Sequence, residues 1–379
     1  MMTTANLNLN KNFDEKDLIR ASEVLKAHKI WYIFTHKKSD GDAMGSASAL
    51  FESGVNLGKS VKWFSPDKTL PEVYKFLPHS NEFIFCEEFN FGEFTPPSDK
   101  SDTSPQAERQ SVASPYYGEE GHLWRRGETP LYVFLDCSNE VRSVSGFDVS
   151  KNINALNIDH HEDNSLFGRV NCVDGLASST CEMLFRIFMA DNWEITQNIA
   201  ESLYTGIFTD TGGFAFSNTS AKTHMAASKL IELGVKPDKI SDFINQNKTP
   251  QDFLIWARVM SRVKIFGEGN IFAISVIYAK DFEETGAELN GTEGLSSMLM
   301  TIEGVKLIST ITQYPSGEIR LSIRSREGSP IGAGELARIF GGGGHERAAG
   351  ATFNFPIENA VNELEKIILN KYHECVNPD

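Results

Sequence analysis

Three short apolar runs in this sequence are each followed by an aspartate or a histidine. WYIFT precedes His36, LYVFL precedes Asp136, and ALNI precedes Asp159. Apolar runs this short indicate buried strands, and segments with helical spacing separate them. This alternating order predicts an α/β domain with a parallel sheet flanked by helices. Ligands of such sheets bind beyond the carboxyl ends of the strands, which is where His36, Asp136 and Asp159 are expected.

The first two thirds of the chain keep this alternation. Apolar spacing predicts helices over residues 14–28, 43–57, 178–190 and 196–208, and strands over 31–35, 61–64, 131–135 and 155–158. Residues 87–130 interrupt the order. They are rich in proline, serine and charge, and we predict a partly disordered insertion there.

The C-terminal third has a different pattern. Residues 220–262 have helical spacing and are predicted to link a catalytic domain, 1–219, to a smaller α+β domain, 263–379. Thr249-Pro250-Gln251-Asp252 predicts the start of a helix within that linker. In the smaller domain we predict strands over 271–278, 305–312 and 318–324, and a helix over 357–372. A cleft between the domains is the expected place for a substrate.

The charge of the chain limits its partners. It has 36 basic and 51 acidic residues, a formal net charge of -15. Affinity for long nucleic acids comes largely from phosphate neutralisation, so we do not expect this chain to bind them. The five cysteines form no CxxC pair, which disfavours a disulfide framework or a zinc site. We find no secretory signal and no apolar run of membrane-spanning length, so we expect a soluble, cytoplasmic protein without a membrane partner. The oligomeric state stays open, and a homodimer is compatible with the sequence.

Four motifs combine carboxylate and imidazole groups. They are THKKSDGDAMGS with His36, Asp40 and Asp42; LDCS with Asp136; NIDHHEDN with Asp159, His160 and His161; and TDTGGF with Asp210. Taken singly, each aspartate could cap a helix or a turn. Together, the oxygen and imidazole donors suit two divalent cations side by side, and two such ions suit phosphoester hydrolysis. The four ionised carboxylates of Asp40, Asp42, Asp136 and Asp210 would balance the charge of the two cations.

The histidine pair provides the strongest local signal. Adjacent side chains in extended backbone point in different directions. We therefore expect one of His160 and His161 to bind metal and the other to face the phosphate. Asp159 is expected to orient a histidine.

The smaller domain offers groups for a phosphate. A run of four glycines, 341–344, leads into His345 and Arg347, and its N–H groups could cradle a phosphate. Arg324 ends a predicted strand and could grip another phosphate, whereas Arg326 is more simply a solvated surface residue. The predicted substrate-binding residues are Arg324, Gly342, Gly343, Gly344, His345 and Arg347.

These motifs resemble those of the DHH phosphoesterases, and GGGGHERAAG resembles the signature of the DHH-associated C-terminal domain. The motifs occur in the expected order over nearly the whole chain. In size and layout the chain is most similar to the nanoRNase and pAp phosphatase group. That group includes enzymes that degrade short oligoribonucleotides, remove the 3′-phosphate of pAp, or cleave linear or cyclic di-adenylates.

The resemblance implies two divalent metal ions, expected to be manganese. The implied ligands are His36, Asp40 and Asp136 for one ion, and Asp42, Asp136, His160 and Asp210 for the other. Asp136 would bridge the ions, and His161 would contact the reacting phosphate. Arg324, His345 and the glycine loop would bind the substrate.

The predicted function is manganese-dependent hydrolysis of short oligoribonucleotides, of dinucleotides such as pApA, or of the 3′-phosphate of pAp. The alternative is a phosphodiesterase for cyclic di-AMP, and the sequence hardly distinguishes this activity from the predicted one. The glycine-rich C-terminal motif speaks against a pyrophosphatase or polyphosphatase. A non-catalytic nucleotide sensor would be expected to lack a ligand, and every implied ligand is present.

Overall fold

The computed structural model describes residues 13–89, 129–146, 154–245, 248–292, 294–344, 346–352 and 356–376. Most of the predicted insertion lies outside the described residues, and so does the predicted substrate-binding residue His345. The chain divides into two compact units, Met1–Gln246 and Asn247–Asp379.

The first unit contains a six-stranded sheet. Its strands are β1 (Ile30–Phe34), β2 (Ser60–Ser65), β3 (Ile84–Phe85), β4 (Leu131–Leu135), β5 (Ala155–Asp159) and β6 (Val170–Val173). Its helices are α1 (Lys16–Ala27), α2 (Gly41–Asn56), α3 (Thr180–Ala190), α4 (Gln197–Asp210), α5 (Ala221–Glu232) and α6 (Pro237–Asn245). The strand order is β3-β2-β1-β4-β5-β6, and all neighbouring strands are parallel. The predicted parallel sheet with flanking helices is confirmed.

The central strands are buried on both faces, which explains their continuous apolar sequences. Trp31 and Ile33 of β1 point into a core formed with the helices. Phe34 points to the opposite face, where its ring lies 5.1 Å from that of Phe134 and 5.2 Å from that of Phe89. Burying a large apolar side chain contributes about 1.5–3 kcal/mol, so these side chains stabilise the sheet whose edge carries the loops with His36 and Asp136.

Close packing of α2 against α4 depends on glycines. A Cβ atom at Gly45 would lie 2.4 Å from the carbonyl oxygen of Ser202, and one at Gly206 would lie 2.8 Å from Oδ1 of Asp42. Real Cβ atoms do not approach other atoms this closely, so only glycine fits at these positions. The two helices that carry Asp42 and Asp210 can therefore pack in direct contact.

The second unit contains a mixed sheet. Its strands are β7 (Lys264–Phe266), β8 (Phe272–Ile277), β9 (Leu307–Gln313), β10 (Ile319–Ser325), β11 (Gly343–Gly344) and β12 (Ala348–Thr352). Its helices are α7 (Pro250–Met260), α8 (Ala279–Thr285), α9 (Leu295–Leu299), α10 (Ala333–Ile339) and α11 (Ile357–Val376). The sheet order is β11-β12-β10-β9-β8-β7, with β8 and β9 parallel and the other neighbours antiparallel. The predicted α+β architecture is confirmed.

The elements that the sequence did not predict are short. The added strands β3, β6, β7, β11 and β12 have at most five residues, and helices α8, α9 and α10 have at most seven. Periodicity over so few residues does not separate helix from strand. The predicted helix start at Thr249 is present, because the Thr249 and Asp252 side chains form a capping box at α7.

The helices between residues 220 and 262 are divided between the two units. α5 and α6 belong to the first unit and α7 to the second. The domain bounds at 219 and 263 stay a prediction. Within the described segments, every helix is too short or too polar to cross a bilayer.

Candidate metal centre

Parallel strands bring the sequence motifs together at one edge of the first sheet. β1, β4 and β5 are neighbours, and their carboxyl ends lead into His36, Asp136 and the 159–161 motif. The donor atoms form three groups, within each of which they lie no more than 4.8 Å apart. The groups are His36, Asp40 and Asp136; Asp42, His160 and Asp210; and Asp136, Asp159, His160 and His161.

His36 is buried with its ring orientation fixed. Its Nδ1 lies 2.9 Å from the carbonyl oxygen of Lys37, to which it can donate, and this leaves Nε2 directed at the carboxylates. Nε2 is 3.2 Å from Oδ2 of Asp136 and 3.7 Å from Oδ1 of Asp40. Burial lowers the pKa of His36, but Asp136 and Asp40 outweigh burial and raise this pKa to about 11.

Asp40 caps α2, as the simpler interpretation of its position predicts. Its Oδ1 accepts hydrogen bonds from the N–H groups of Asp42 and Ala43, both at 3.1 Å. The second oxygen, Oδ2, takes no part in the cap. The capping oxygen Oδ1 is also the one that lies 3.7 Å from Nε2 of His36, so metal ligation by this half-exposed side chain would use Oδ2 or the remaining lone pair of Oδ1.

Asp136 lies at the centre of the cluster and is almost fully buried. Its φ of 59° is unusual for a non-glycine residue, and such strained backbone is typical of functional sites. Oδ2 faces His36, and Oδ1 is 3.5 Å from Nε2 of His160. Burial raises the pKa of Asp136, but hydrogen bonds from His160 and His36 hold it well below the usual range. The two oxygens thus face different imidazoles, as a bridging ligand requires.

A second set of donors surrounds His160. Its Nε2 lies 3.8 Å from Oδ2 of Asp42 and 3.6 Å from Oδ2 of Asp210. Burial raises the pKa of Asp42 well above its usual value, and Asp136 and Asp210 add to that shift. Burial also raises the pKa of Asp210 to about 6, with Asp136 adding to the shift and His160 opposing it. Asp210 is the last residue of α4, which extends two residues beyond the predicted helix end at 208.

Asp159 is fully buried and holds the histidine pair. Its Oδ1 accepts from the backbone N–H of His160 at 2.8 Å and lies 2.8 Å from Nδ1 of His161. Asn164 donates through Nδ2 to Oδ2, which fixes the carboxylate plane. Burial lowers the pKa of His161, but Asp159 outweighs burial and raises it. Nε2 is the His161 nitrogen left for other partners.

Sequence reasoning missed Arg142. This residue ends the 3-10 helix Glu140–Arg142, and its Nη1 lies 3.4 Å from Nε2 of His161. The guanidinium brings a permanent positive charge to the cluster. Arg142 follows β4 in the same loop as Asp136, so the rule that sites lie at strand ends could have singled it out.

Thr180 was also missed. Its backbone N–H donates to Asp42, and its hydroxyl donates to Asp136. The sequence SSTCE matches the pattern of a helix start, but nothing in it indicates contact with a carboxylate cluster.

The donor set fits divalent cations. Burial is the main reason that the pKa values of Asp42 and Asp210 are raised, and repulsion from the neighbouring carboxylates adds to the shift. A divalent cation would relieve that repulsion. Carboxylate and imidazole donors are typical ligands of such ions, so this cluster can bind metal.

Among the predicted substrate-binding residues that the structure describes, Arg324, Gly344 and Arg347 lie at one end of the sheet of the second unit. Arg324 of β10 pairs with Ala348, and Gly344 of β11 pairs with Ala349. Arg347 directly precedes β12 and is exposed, with Nη2 3.4 Å from a carboxylate oxygen of Glu327. Burial lowers the pKa of Arg324.

The glycine run is a short strand and turn rather than an open loop. The N–H of Gly342 donates to the carbonyl of Ala337, so it is not available to a phosphate. A Cβ at Gly342 would lie 2.2 Å from the carbonyl oxygen of Gly350, and Gly344 has a φ of 141°. Packing and backbone geometry therefore account for these two glycines. Gly343 has no such constraint, since no atom lies within 4 Å of its added Cβ.

Comparisons with known proteins agree with these features. The model described as "DHH family, N-terminal domain" matches residues 30–207, and the DHHA1 domain model matches residues 272–374. A bifunctional oligoribonuclease and PAP phosphatase of Thermus thermophilus is 31% identical over 336 residues, covering 87% of this chain and 86% of that protein. Its namesake in Bacillus subtilis is 30% identical over 238 residues, 59% of this chain and 70% of that protein.

A solved structure has the same fold. The crystal structure of an exopolyphosphatase-related protein from Bacteroides fragilis superposes with a TM-score of 0.76 at 20% sequence identity, covering 97% of this chain and 99% of that one. One family accounts for the matched domain models, for the similarity to the Thermus protein and for the carboxylate–histidine cluster. The chain belongs to the DHH phosphoesterase family and has an N-terminal DHH domain and a C-terminal DHHA1 domain.

Proposed function

We propose that this protein is a metal-dependent phosphoesterase that hydrolyses short oligoribonucleotides, such as pApA, and the 3′-phosphate of pAp. The observation that carries the proposal is Asp136, a buried carboxylate whose two oxygens face two different histidines. The similarity to oligoribonuclease and PAP phosphatase proteins supports the choice of substrate.

Two divalent ions, which we take to be manganese, would use the ligand groups of the cluster. One ion would be held by His36, Asp40 and Asp136, and the other by Asp42, Asp136, His160 and Asp210. When bound, the ions would polarise the phosphoryl group and lower the pKa of the attacking water.

Residues beside the cluster have roles of their own in this proposal. Asp159 holds Nδ1 of His161, so Nε2 is directed at the reacting phosphate. Arg142, 3.4 Å from that Nε2, supplies a positive charge to the phosphate oxygens. His161 can then donate a proton or a hydrogen bond to an oxygen of the phosphoester.

The second unit would bind the remainder of the nucleotide. Arg324 and Arg347 provide cations at one end of its sheet, and Gly343 provides a backbone that a phosphate can approach. A small number of cations on a chain with a net charge of -15 suits a short substrate rather than a polymer.

Hydrolysis by the purified, manganese-loaded protein tests this proposal. The substrates are pAp, pApA, RNAs of increasing length, cyclic di-AMP and pyrophosphate. We expect rapid hydrolysis of pApA and pAp, falling as the RNA lengthens. Asp136→Ala should abolish it. Asp163→Ala is the matched control, because it removes an exposed carboxylate close in sequence to His161 but outside the cluster.

The substrate ranking separates the alternatives. A preference for cyclic di-AMP would replace the proposal with a cyclic dinucleotide phosphodiesterase, and a preference for pyrophosphate would replace it with a pyrophosphatase. Manganese binding without hydrolysis of any of these substrates would contradict the proposal and favour a nucleotide sensor.

A further inference from the structure

The first turn of α3 holds the carboxylate of Asp42. The backbone N–H of Thr180 donates to Oδ2 at 2.6 Å, and that of Cys181 donates to Oδ1 at 2.9 Å. The first N–H groups of a helix have no partner within the helix and lie at its positive end, so they attract a carboxylate. Asp42 is almost fully buried, and both of its oxygens are fixed by these bonds.

The same threonine holds a second carboxylate through its side chain. Oγ1 of Thr180 donates to Oδ1 of Asp136 at 3.2 Å. Asp42 belongs to α2 and Asp136 to the loop after β4, so Thr180 joins two distant segments. Its side chain is fully buried, and its position is therefore fixed by packing as well.

A hydrogen-bond network fixes the residues on either side of Thr180. Ser179 caps α3, since its hydroxyl accepts from the N–H of Glu182 at 3.0 Å. Ser178 donates to the Glu182 carboxylate through its N–H at 3.2 Å and through its hydroxyl at 2.6 Å. Thr223 of α5 donates to the same carboxylate oxygen at 2.8 Å. The start of α3 is thus tied to α5.

A further contact ties the end of α4 to the same segment. Nδ2 of Asn218 donates to the carbonyl oxygens of Ser178 at 3.0 Å and of Asp210 at 3.1 Å. The backbone of Asp210 is therefore joined, through one amide group, to the segment that leads into Thr180. The helix start thus bonds directly to the carboxylates of Asp42 and Asp136, and it is linked indirectly to the backbone of Asp210.

We propose that Thr180 is a positioning residue, which sets the separation of the Asp42 and Asp136 carboxylates so that two divalent cations can bind side by side. This proposal rests on the metal binding of the proposed function but not on its substrate. Asp42 and Asp136 are both proposed ligands of the second ion, and Asp136 also belongs to the donor group of the first, so a residue that bonds to both carboxylates controls the spacing of the two ion sites. Thr180 itself contacts neither ion nor phosphate in this role.

Manganese binding by variants tests the proposal. Thr180→Val keeps the shape and the backbone N–H but loses the hydroxyl donor, whereas Thr180→Ser keeps both donors. Thr205→Val is the matched control. Thr205 is also fully buried, and its hydroxyl donates to the backbone carbonyl of Glu201 at 2.8 Å rather than to a carboxylate of the cluster.

The readouts are manganese affinity and stoichiometry, the electron paramagnetic resonance spectrum, and thermal unfolding of the metal-free protein. We expect Thr180→Val to weaken the binding of one ion by roughly 10- to 100-fold and to lose the signal of two spin-coupled ions. Thr180→Ser should restore both. Thr205→Val should lower the unfolding temperature but leave manganese binding unchanged.

Two results would overturn the proposal. One is a Thr180→Val protein that binds two coupled manganese ions as tightly as the wild type does. The other is an equal weakening by Thr180→Val and Thr205→Val, which would indicate general destabilisation. If Thr180→Val does not fold, Thr180→Ala removes the same hydroxyl without a methyl group in its place and carries the test. A wild-type protein that binds two ions but hydrolyses no nucleotide would contradict the proposed function alone.

Discussion

Nδ1 of His161 lies 2.8 Å from Oδ1 of Asp159, and this contact leaves Nε2 of the same ring facing Arg142. A carboxylate that accepts from one ring nitrogen selects the tautomer and the orientation of the imidazole. Asp159 is the last residue of a central strand and is fully buried, so it can hold the ring with little freedom.

Asp159→Asn should reduce turnover without removing the metal. Burial lowers the pKa of His161, but the Asp159 carboxylate outweighs burial and raises it. An amide in its place lacks the charge that stabilises the doubly protonated ring, so His161 would be protonated less often and would be a poorer proton donor through Nε2. We expect a loss of roughly 10- to 100-fold in kcat, with manganese stoichiometry unchanged. Steady-state kinetics together with metal analysis check this. Wild-type kcat in the variant would show that Asp159 does not orient the catalytic ring.

Metal binding should release protons. The pKa of His36 is raised to about 11, so the metal-free ring carries a proton at pH 8 that must leave before Nε2 can bind a cation. Affinity should therefore fall as the pH falls, and more steeply below the Asp210 pKa of about 6. Calorimetry in two buffers with different ionisation enthalpies measures the release.

A His36→Asn variant provides the control for this measurement. It should release roughly one proton fewer than the wild type on binding manganese at the same pH. Equal release from both proteins, or affinity that rises as the pH falls, would contradict the assignment of His36 as a ligand.

Gly206→Ala should damage both stability and metal binding. The added Cβ would lie 2.2 Å from Sγ of Cys181 and 2.8 Å from Oδ1 of Asp42, so one of these groups must move. We expect a loss of about 1–3 kcal/mol in the free energy of unfolding, and weaker manganese binding because Asp42 is displaced.

Gly54→Ala is the matched control for that variant. Its added Cβ would lie 2.6 Å from Cγ2 of Val61 in the same core but far from the carboxylates. Urea unfolding and manganese titration of both proteins separate the effects. If both variants weaken manganese binding to the same degree, the close approach of α2 and α4 does not position Asp42.

Gly343→Ala should affect the substrate but not the fold. Its Cβ would meet no atom within 4 Å, so unfolding should change by no more than about 0.5 kcal/mol. If a phosphate approaches this backbone, KM for pApA should rise while kcat stays close to the wild-type value. Gly342→Ala, whose Cβ would lie 2.2 Å from a carbonyl oxygen, should instead lower the unfolding temperature. An unchanged KM in Gly343→Ala would show that the substrate phosphate does not approach this loop.

Much of the fold followed from the sequence because its central strands are buried on both faces. Continuous apolar runs followed by His36, Asp136 and Asp159 are typical of strands in a parallel sheet, whose ligands lie beyond the carboxyl ends of the strands. The structure adds that these three strands are neighbours. The short strands and helices escaped prediction, because a few residues at a sheet edge carry no clear period.

The parts of the site that sequence reasoning missed depend on tertiary contacts. Arg142 and Thr180 have ordinary local roles, at the end of a 3-10 helix and in the first turn of α3, and their sequences reveal no more than that. Their contacts with His161, Asp42 and Asp136 arise only when distant segments pack together. For the glycines the sequence suggested a phosphate cradle, which stays a prediction, and packing and backbone geometry give Gly342 and Gly344 a structural reason as well.

Titrating the metal-free protein with manganese while following hydrolysis of pApA tests the central claim most directly. If the cluster around Asp136 binds two ions that act together, activity should be low after the first equivalent and complete after the second. Asp136→Ala should show neither tight binding nor activity. Full hydrolysis with one equivalent, or in the presence of excess chelator, would contradict a two-metal phosphoesterase.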